Sequence, residues 1–185
     1  MLKKFIAFFF LIGFKKIRID SNKIKGTVMI CAPHTSNWDF PNAISYFWHV
    51  GLDIKFLIKD DYIKSFWLGW LIKWMGGIGV DRSQKNDLVT YSSNLFKENP
   101  DLILLITAEG TRAKSSKWKL GFYHIALKAN VPISLAFMDW EKKELGINKI
   151  VYPNQKEKKE LFKEIEEFYA DKKGKFPENF TSNIE

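Results

Sequence analysis

Leu102-Ile-Leu-Leu-Ile106 runs five apolar residues without alternation, then passes directly into Thr107-Ala-Glu-Gly-Thr-Arg112, a glycine turn flanked by charge. A short apolar run lacking period two suits a strand covered on both faces. A covered strand ending in a charged turn fits an open α/β sheet, whose ligands bind in loops at the carboxyl ends of strands. Val28-Met-Ile-Cys-Ala32, Ile54-Lys-Phe-Leu-Ile58 and Ile133-Ser-Leu-Ala-Phe137 read as further strands, with weaker ones near 77–80 and 147–151. Between them, 38–50, 62–75, 84–98, 119–129 and 155–170 read as helices. The alternation predicts a single α/β domain over 1–185, with a central, mostly parallel or mixed sheet flanked by helices.

The chain's 185 residues, 46% hydrophobic and 27% charged, fit one domain with a sizeable core and exclude a disordered or fibrous polymer. No repeat or Gly/Ser-rich linker divides it. The lone cysteine, Cys31, excludes an intrachain disulfide and argues against a Cys-based zinc site. His34, His49 and His124 leave little for a His-rich metal site, so no metal is expected.

Net charge is +8, and residues 1–30 hold seven basic side chains against Asp20 alone. Residues 141–185 balance ten lysines with ten acids, so the excess sits near the N-terminus. Phe5-Ile-Ala-Phe-Phe-Phe-Leu-Ile12 is far too short to span a bilayer, which takes about 20 apolar residues. Lysines on both sides make 1–16 a candidate helix lying at the membrane interface; the alternative is a helix packed on the core. In the segment 62–75, Ile63, Trp67, Trp70 and Trp74 share one helical stripe flanked by Lys64 and Lys73. Such a stripe suits a lipid interface or, equally, the core, and Gly69 marks a close packing contact. The segment 155–185 reads as a charged helix and tail, docked at the domain edge through Leu161, Phe162, Ile165, Phe168 and Tyr169. The positive charge goes with Phe-rich sequence and no recognition motif, so nucleic acid is not the expected partner.

Ala32-Pro-His34-Thr-Ser36-Asn-Trp-Asp39-Phe-Pro41 follows a strand and opens a helix, with Ser36 or Asn37 as N-cap and Pro41 in the first turn. With His34 in the loop and Asp39 inside the helix, the two side chains can converge. The carboxylate then fixes one imidazole nitrogen and leaves the other as a general base. This is a serine-hydrolase triad without its nucleophile. Cys31 lies within an apolar run and reads as structural, as do His49 and His124. Gly76-Gly-Ile-Gly-Val-Asp-Arg82 also places an arginine at a strand exit. Arg82 and Arg112, with Lys114 and Lys117 behind them, form a candidate phosphate site in which Glu109 holds Arg112; each arginine is alternatively a surface ion pair.

His34-x4-Asp39, Gly-Ile-Gly-Val-Asp-Arg82, Glu109-Gly-Thr-Arg112 and Val131-Pro-Ile133 together resemble the four ordered motifs of the glycerolipid acyltransferases. The resemblance covers nearly the whole chain and is greatest to a short, bacterial-looking form of the 1-acyl-sn-glycerol-3-phosphate acyltransferase family. It implies that His34 is the general base, Asp39 orients it, and an acceptor hydroxyl attacks an acyl thioester without an acyl-enzyme. It assigns Ser36, Arg82, Glu109, Gly110, Thr111 and Arg112, and on a weaker match Lys59, to substrate binding. No cofactor is implied: acyl-CoA or acyl-carrier protein is the donor substrate. The acceptor is a lysophospholipid, foremost lysophosphatidic acid, with a lyso-ornithine lipid or glycolipid as the alternative. The resemblance also implies peripheral attachment to the cytoplasmic face of a bacterial membrane. A lipid-surface module without activity and a thioesterase are the readings from other classes. Two positions depart from the pattern: Ala108 replaces the usual proline, and Gly79 a bulkier apolar residue.

Overall fold

The computed structural model describes residues 2–17, 24–81 and 88–184. Seven strands form one sheet in the order β1-β7-β6-β2-β5-β3-β4. These are β1 (Lys15–Ile17), β2 (Thr27–Ala32), β3 (Ile54–Lys59), β4 (Gly77–Val80), β5 (Ile103–Ile106), β6 (Ile133–Asp139) and β7 (Glu144–Val151). Every neighbouring pair is parallel except the β6–β7 hairpin. The expected mostly parallel, mixed sheet is therefore present. The short edge strand β1, with sequence Lys-Lys-Ile, had no apolar run to reveal it.

The helices are α1 (Leu2–Phe10), α2 (Asp39–Val50), α3 (Asp60–Lys64), α4 (Gly69–Trp74), α5 (Leu88–Glu98), α6 (Gly121–Ala129) and α7 (Lys158–Tyr169). The sheet divides the apolar side chains into two cores, as strands covered on both faces require. Val28, Ile30, Leu104 and Leu135 pack with Phe96 of α5, Phe122 of α6 and Leu161, Ile165 and Tyr169 of α7. On the other face Met29, Ile54, Phe56 and Ile103 pack with Ala7 of α1, Ala43 and Phe47 of α2 and Ile72 of α4. Helix α7 is thus part of a core rather than an appendage at the edge. Its Tyr169 hydroxyl reaches beneath the sheet and donates to the carbonyl of Ala136 at 2.8 Å.

The segment expected as one helix over 62–75 is broken. The backbone turns extended at Ser65, where ψ is 127°, and restarts at Gly69, whose N–H donates to the carbonyl of Ser65 at 2.8 Å. A Cβ on Gly69 would strike the carbonyl oxygen of Ile63, so the sequence's packing glycine is the pivot of this turn. The tryptophan stripe dissolves accordingly. Trp74 packs edge-on against Trp48 of α2, whereas Phe66, Trp67 and Trp70 are 85%, 80% and 65% exposed. Helix α1 packs on the core along one side only. Ala7 and Leu11 are buried against α2, while Phe5, Phe8, Phe9 and Ile12 face outward. The ammonium of Lys3 lies over the rings of Trp48 and Trp74, tying α1, α2 and α4 together. No helix among the described residues is long and apolar enough to cross a membrane.

Candidate active site

The loop from β2 into α2 sits at the carboxyl end of the sheet's central strands. Asp39 is the first residue of α2 and is flanked by Trp38, so neither Ser36 nor Asn37 caps the helix as expected. The Asp39 carboxylate instead turns back to hold the preceding loop. Its Oδ2 accepts the backbone N–H groups of Thr35 and Ser36, both at 2.7 Å. The positive end of a three-turn helix adds to its stabilisation as an anion. His34 Nδ1 faces the same Oδ2 at 3.5 Å, long for a hydrogen bond and typical of a pair that tightens around substrate. The second oxygen, Oδ1, accepts the indole N–H of Trp140 at 2.8 Å. Sequence reading missed Trp140. It stands 101 residues away, in the β6–β7 turn, and no local pattern ties it to Asp39.

Glu109 lies behind His34 and is 3% exposed. Its Oε1 accepts the backbone N–H of His34 at 2.7 Å, and its Oε2 is buried without a hydrogen-bond partner among the described residues. It therefore braces the histidine's backbone; the expected ion pair with Arg112 is not its contact. Burial pushes the Glu109 carboxyl up to about 7, only partly opposed by the His34 N–H and imidazole. Burial likewise pushes the Cys31 thiol up to about 12, aided by the charges of Asp39 and Glu109. A thiol so held is neutral and a poor nucleophile, as its apolar run suggested.

His34 and Asp39 are among the residues lining a cavity of about 670 Å³. This size is within the roughly 300–1,000 Å³ of small-molecule sites. Its walls are mainly apolar: Phe40 and Ala43 of α2, Phe56 and Ile58 of β3, Leu105 of β5, and Phe122 and Ile125 of α6. Gly110, Arg112 and Lys119 also line it. Gly110 has φ +68°, the left-handed turn that admits glycine most readily. The remaining expected binding residues fall differently. Thr111 is exposed, and its hydroxyl accepts the N–H of Ala113. Ser36 is buried, with its hydroxyl accepting the Trp38 N–H. Lys59 is exposed at the end of β3 and is not among the cavity's lining residues. Arg82 lies outside the described residues. Gly79 has a local reason: a Cβ there would meet the side chains of Asp60 and Ile63 on α3. Among the described residues, no group of three His, Cys, Asp or Glu side chains is placed to hold a metal ion.

An imidazole and a carboxylate thus line a mainly apolar cavity in a mostly parallel α/β fold. The chain matches the family model described as Acyltransferase over residues 15–135 and belongs to the acyltransferase family. Its fold is similar to the crystal structure of the 1-acyl-sn-glycerophosphate (LPA) acyltransferase, PlsC, from Thermotoga maritima. The TM-score is 0.64 at 20% identity, over 90% of this chain and 76% of that one. No curated protein sequence is significantly similar to it.

Proposed function

We propose that the protein transfers a fatty acyl group from acyl-CoA or acyl-carrier protein to the free hydroxyl of a lysophospholipid, foremost 1-acyl-sn-glycerol-3-phosphate, giving phosphatidic acid. The observation that carries this reading is the placement of His34, facing Asp39, in the wall of a mainly apolar cavity. Asp39 holds the imidazole with its Nδ1 proton inward, leaving Nε2 as the base. Nε2 takes the acceptor's hydroxyl proton as the oxygen attacks the thioester carbonyl carbon. Collapse of the tetrahedral intermediate breaks the C–S bond, and the departing thiolate recovers the proton from His34. No acyl-enzyme is required, in keeping with a Cys31 thiol held at about 12. Arg112, beside the pair in the same cavity, supplies a guanidinium for the acceptor's phosphate. The donor is a substrate, and the chemistry calls for no cofactor.

Both lipid substrates partition into membrane, and two exposed apolar surfaces support peripheral attachment. Phe5, Phe8 and Phe9 of α1 and Phe66, Trp67 and Trp70 around the α3–α4 turn face solvent beside Lys4 and Lys64. Aromatic side chains mixed with lysines fit an anionic lipid surface, such as the cytoplasmic leaflet of a bacterial membrane.

The test is thiol release from acyl-CoA by purified protein, with and without lysophosphatidic acid, alongside His34→Ala. Release that needs both the acceptor and His34, with the variant slower by about 10²–10⁴-fold, is expected of a general base. Release independent of acceptor would make the protein a thioesterase. Full activity in the variant would remove His34 from the chemistry.

A further inference from the structure

We propose that Trp140 is a positioning residue of this reaction: its indole N–H, by holding Oδ1 of Asp39, fixes the plane in which the carboxylate faces His34. The inference rests on the acyltransferase reading for its kinetic consequence, but not for its geometry. An aspartate can turn its carboxylate plane away from an imidazole by rotating part-way about its last side-chain bond. Here Oδ2 already accepts two backbone N–H groups, and Trp140 accounts for Oδ1 at 2.8 Å. With both oxygens engaged, rotation breaks three hydrogen bonds at once, inside a site where Asp39 is 3% exposed. A charge-assisted hydrogen bond in such a setting orients more strongly than one in water.

The indole is itself held from several directions. Phe14 packs edge-on against it at 5.4 Å between centroids. The ammonium groups of Lys143 and Lys175 lie 5.0 Å and 5.1 Å from its ring centre. Its backbone N–H donates to the carbonyl of Lys173 at 2.8 Å. An aromatic ring fixed by the end of the N-terminal segment, the hairpin turn and the C-terminal segment would be an expensive device for packing alone. Its one directional polar group is spent on Asp39.

Trp140→Phe keeps a ring for Phe14 and the two lysines and deletes the donor. The expected result is a folded protein whose kcat falls roughly ten-fold with little change in KM. Phe14→Leu, which disturbs the ring's packing and spares the N–H, should lower kcat far less. A folded Trp140→Phe with an unchanged kcat, or with a loss that appears in KM alone, overturns the proposal. If Trp140→Phe does not fold, NMR of the indole N–H decides. In the wild type it should be shifted downfield and slow to exchange, and it should move upfield in Asp39→Asn; an indole N–H indifferent to Asp39→Asn overturns the assignment. Since the NMR arm uses no substrate, it stands even if the protein transfers no acyl group, so failure of one reading is distinguishable from failure of the other.

Discussion

Glu109 was read in the sequence as a substrate-binding residue that also steadied Arg112, and it occupies a more awkward position than either role requires. Its Oε1 accepts the His34 N–H while Oε2 has no partner among the described residues. Because burial raises the carboxyl to about 7 from an ordinary 4.5, the native state binds a proton across this window that the unfolded chain releases. The contribution to stability is thus fully present below about 4.5 and lost as pH rises toward 7. Glu109→Gln keeps an acceptor for the His34 N–H and cannot ionise. Relative to wild type it should gain on the order of 2–3 kcal/mol between pH 5 and pH 8. Thermal unfolding of both proteins at the two pH values checks this, and a difference independent of pH would show an ionisation close to the ordinary carboxyl value. The His34–Asp39 pair proposed to act on substrate is easier to read than this brace. His34 and Asp39 are five residues apart across a strand-to-helix boundary, so local geometry alone brings them together. Glu109 and Trp140 reach the same loop from other strands, through contacts that no local pattern encodes.

The same distinction holds for the elements. Strands buried on both faces announce themselves as unbroken apolar runs, and β2, β3, β5 and β6 lie where those runs lie. β1 is a three-residue edge strand whose residues are mostly exposed, so burial left no signature in it. Helical periodicity over 62–75 was real but did not decide the outcome, because the chain must fold tightly against Ile63 at Gly69. The break gives the aromatic residues a different use: Phe66 and Trp67 project from a turn instead of lying along a stripe. Helix α1 is divided between core and surface in the same way. Deleting residues 1–14 would expose the core that Ala7, Leu11 and Phe14 cover, and would confuse unfolding with loss of attachment. Point changes separate the two. Phe5→Ser with Phe9→Ser, or Phe66→Ser with Trp67→Ser, should leave thermal stability nearly unchanged, since surface substitutions typically fall within about 0.5 kcal/mol. Each pair should weaken sedimentation with anionic vesicles by roughly ten-fold, given the apolar area withdrawn from lipid. Undiminished binding by both double variants would place the lipid contact elsewhere.

At the scale of the whole molecule, segments near both termini brace the loop that carries His34 and Asp39, one through Trp140 and one directly. Phe14, just after α1, packs against Trp140. The segment after α7 runs back across the same loop, where the Phe176 N–H donates to Thr35 Oγ1 at 3.1 Å. It is then secured at Trp118, whose indole N–H donates to the carbonyl of Thr181 at 2.7 Å and whose backbone N–H donates to that of Asn183 at 2.9 Å. The closest approach is at Gly174, where an added Cβ would lie 2.6 Å from Thr35 Oγ1, 2.9 Å from its Cγ2 and 3.2 Å from Pro33 Cβ. Thr35 donates its backbone N–H to Asp39, so it cannot retreat without disturbing the carboxylate. Relief must therefore come from the C-terminal segment lifting away or from the loop that carries His34 shifting. Gly174→Ala should cost about 1–3 kcal/mol of stability, the usual range for forcing a methyl group into a packed contact. Its effect on kcat should exceed that on KM, because the strained neighbour orients the base and does not line the cavity. Unfolding and steady-state kinetics on the one variant test both expectations. A protein destabilised but kinetically normal would mean that the C-terminal segment yields first, leaving the loop's geometry to Asp39, Glu109 and Trp140.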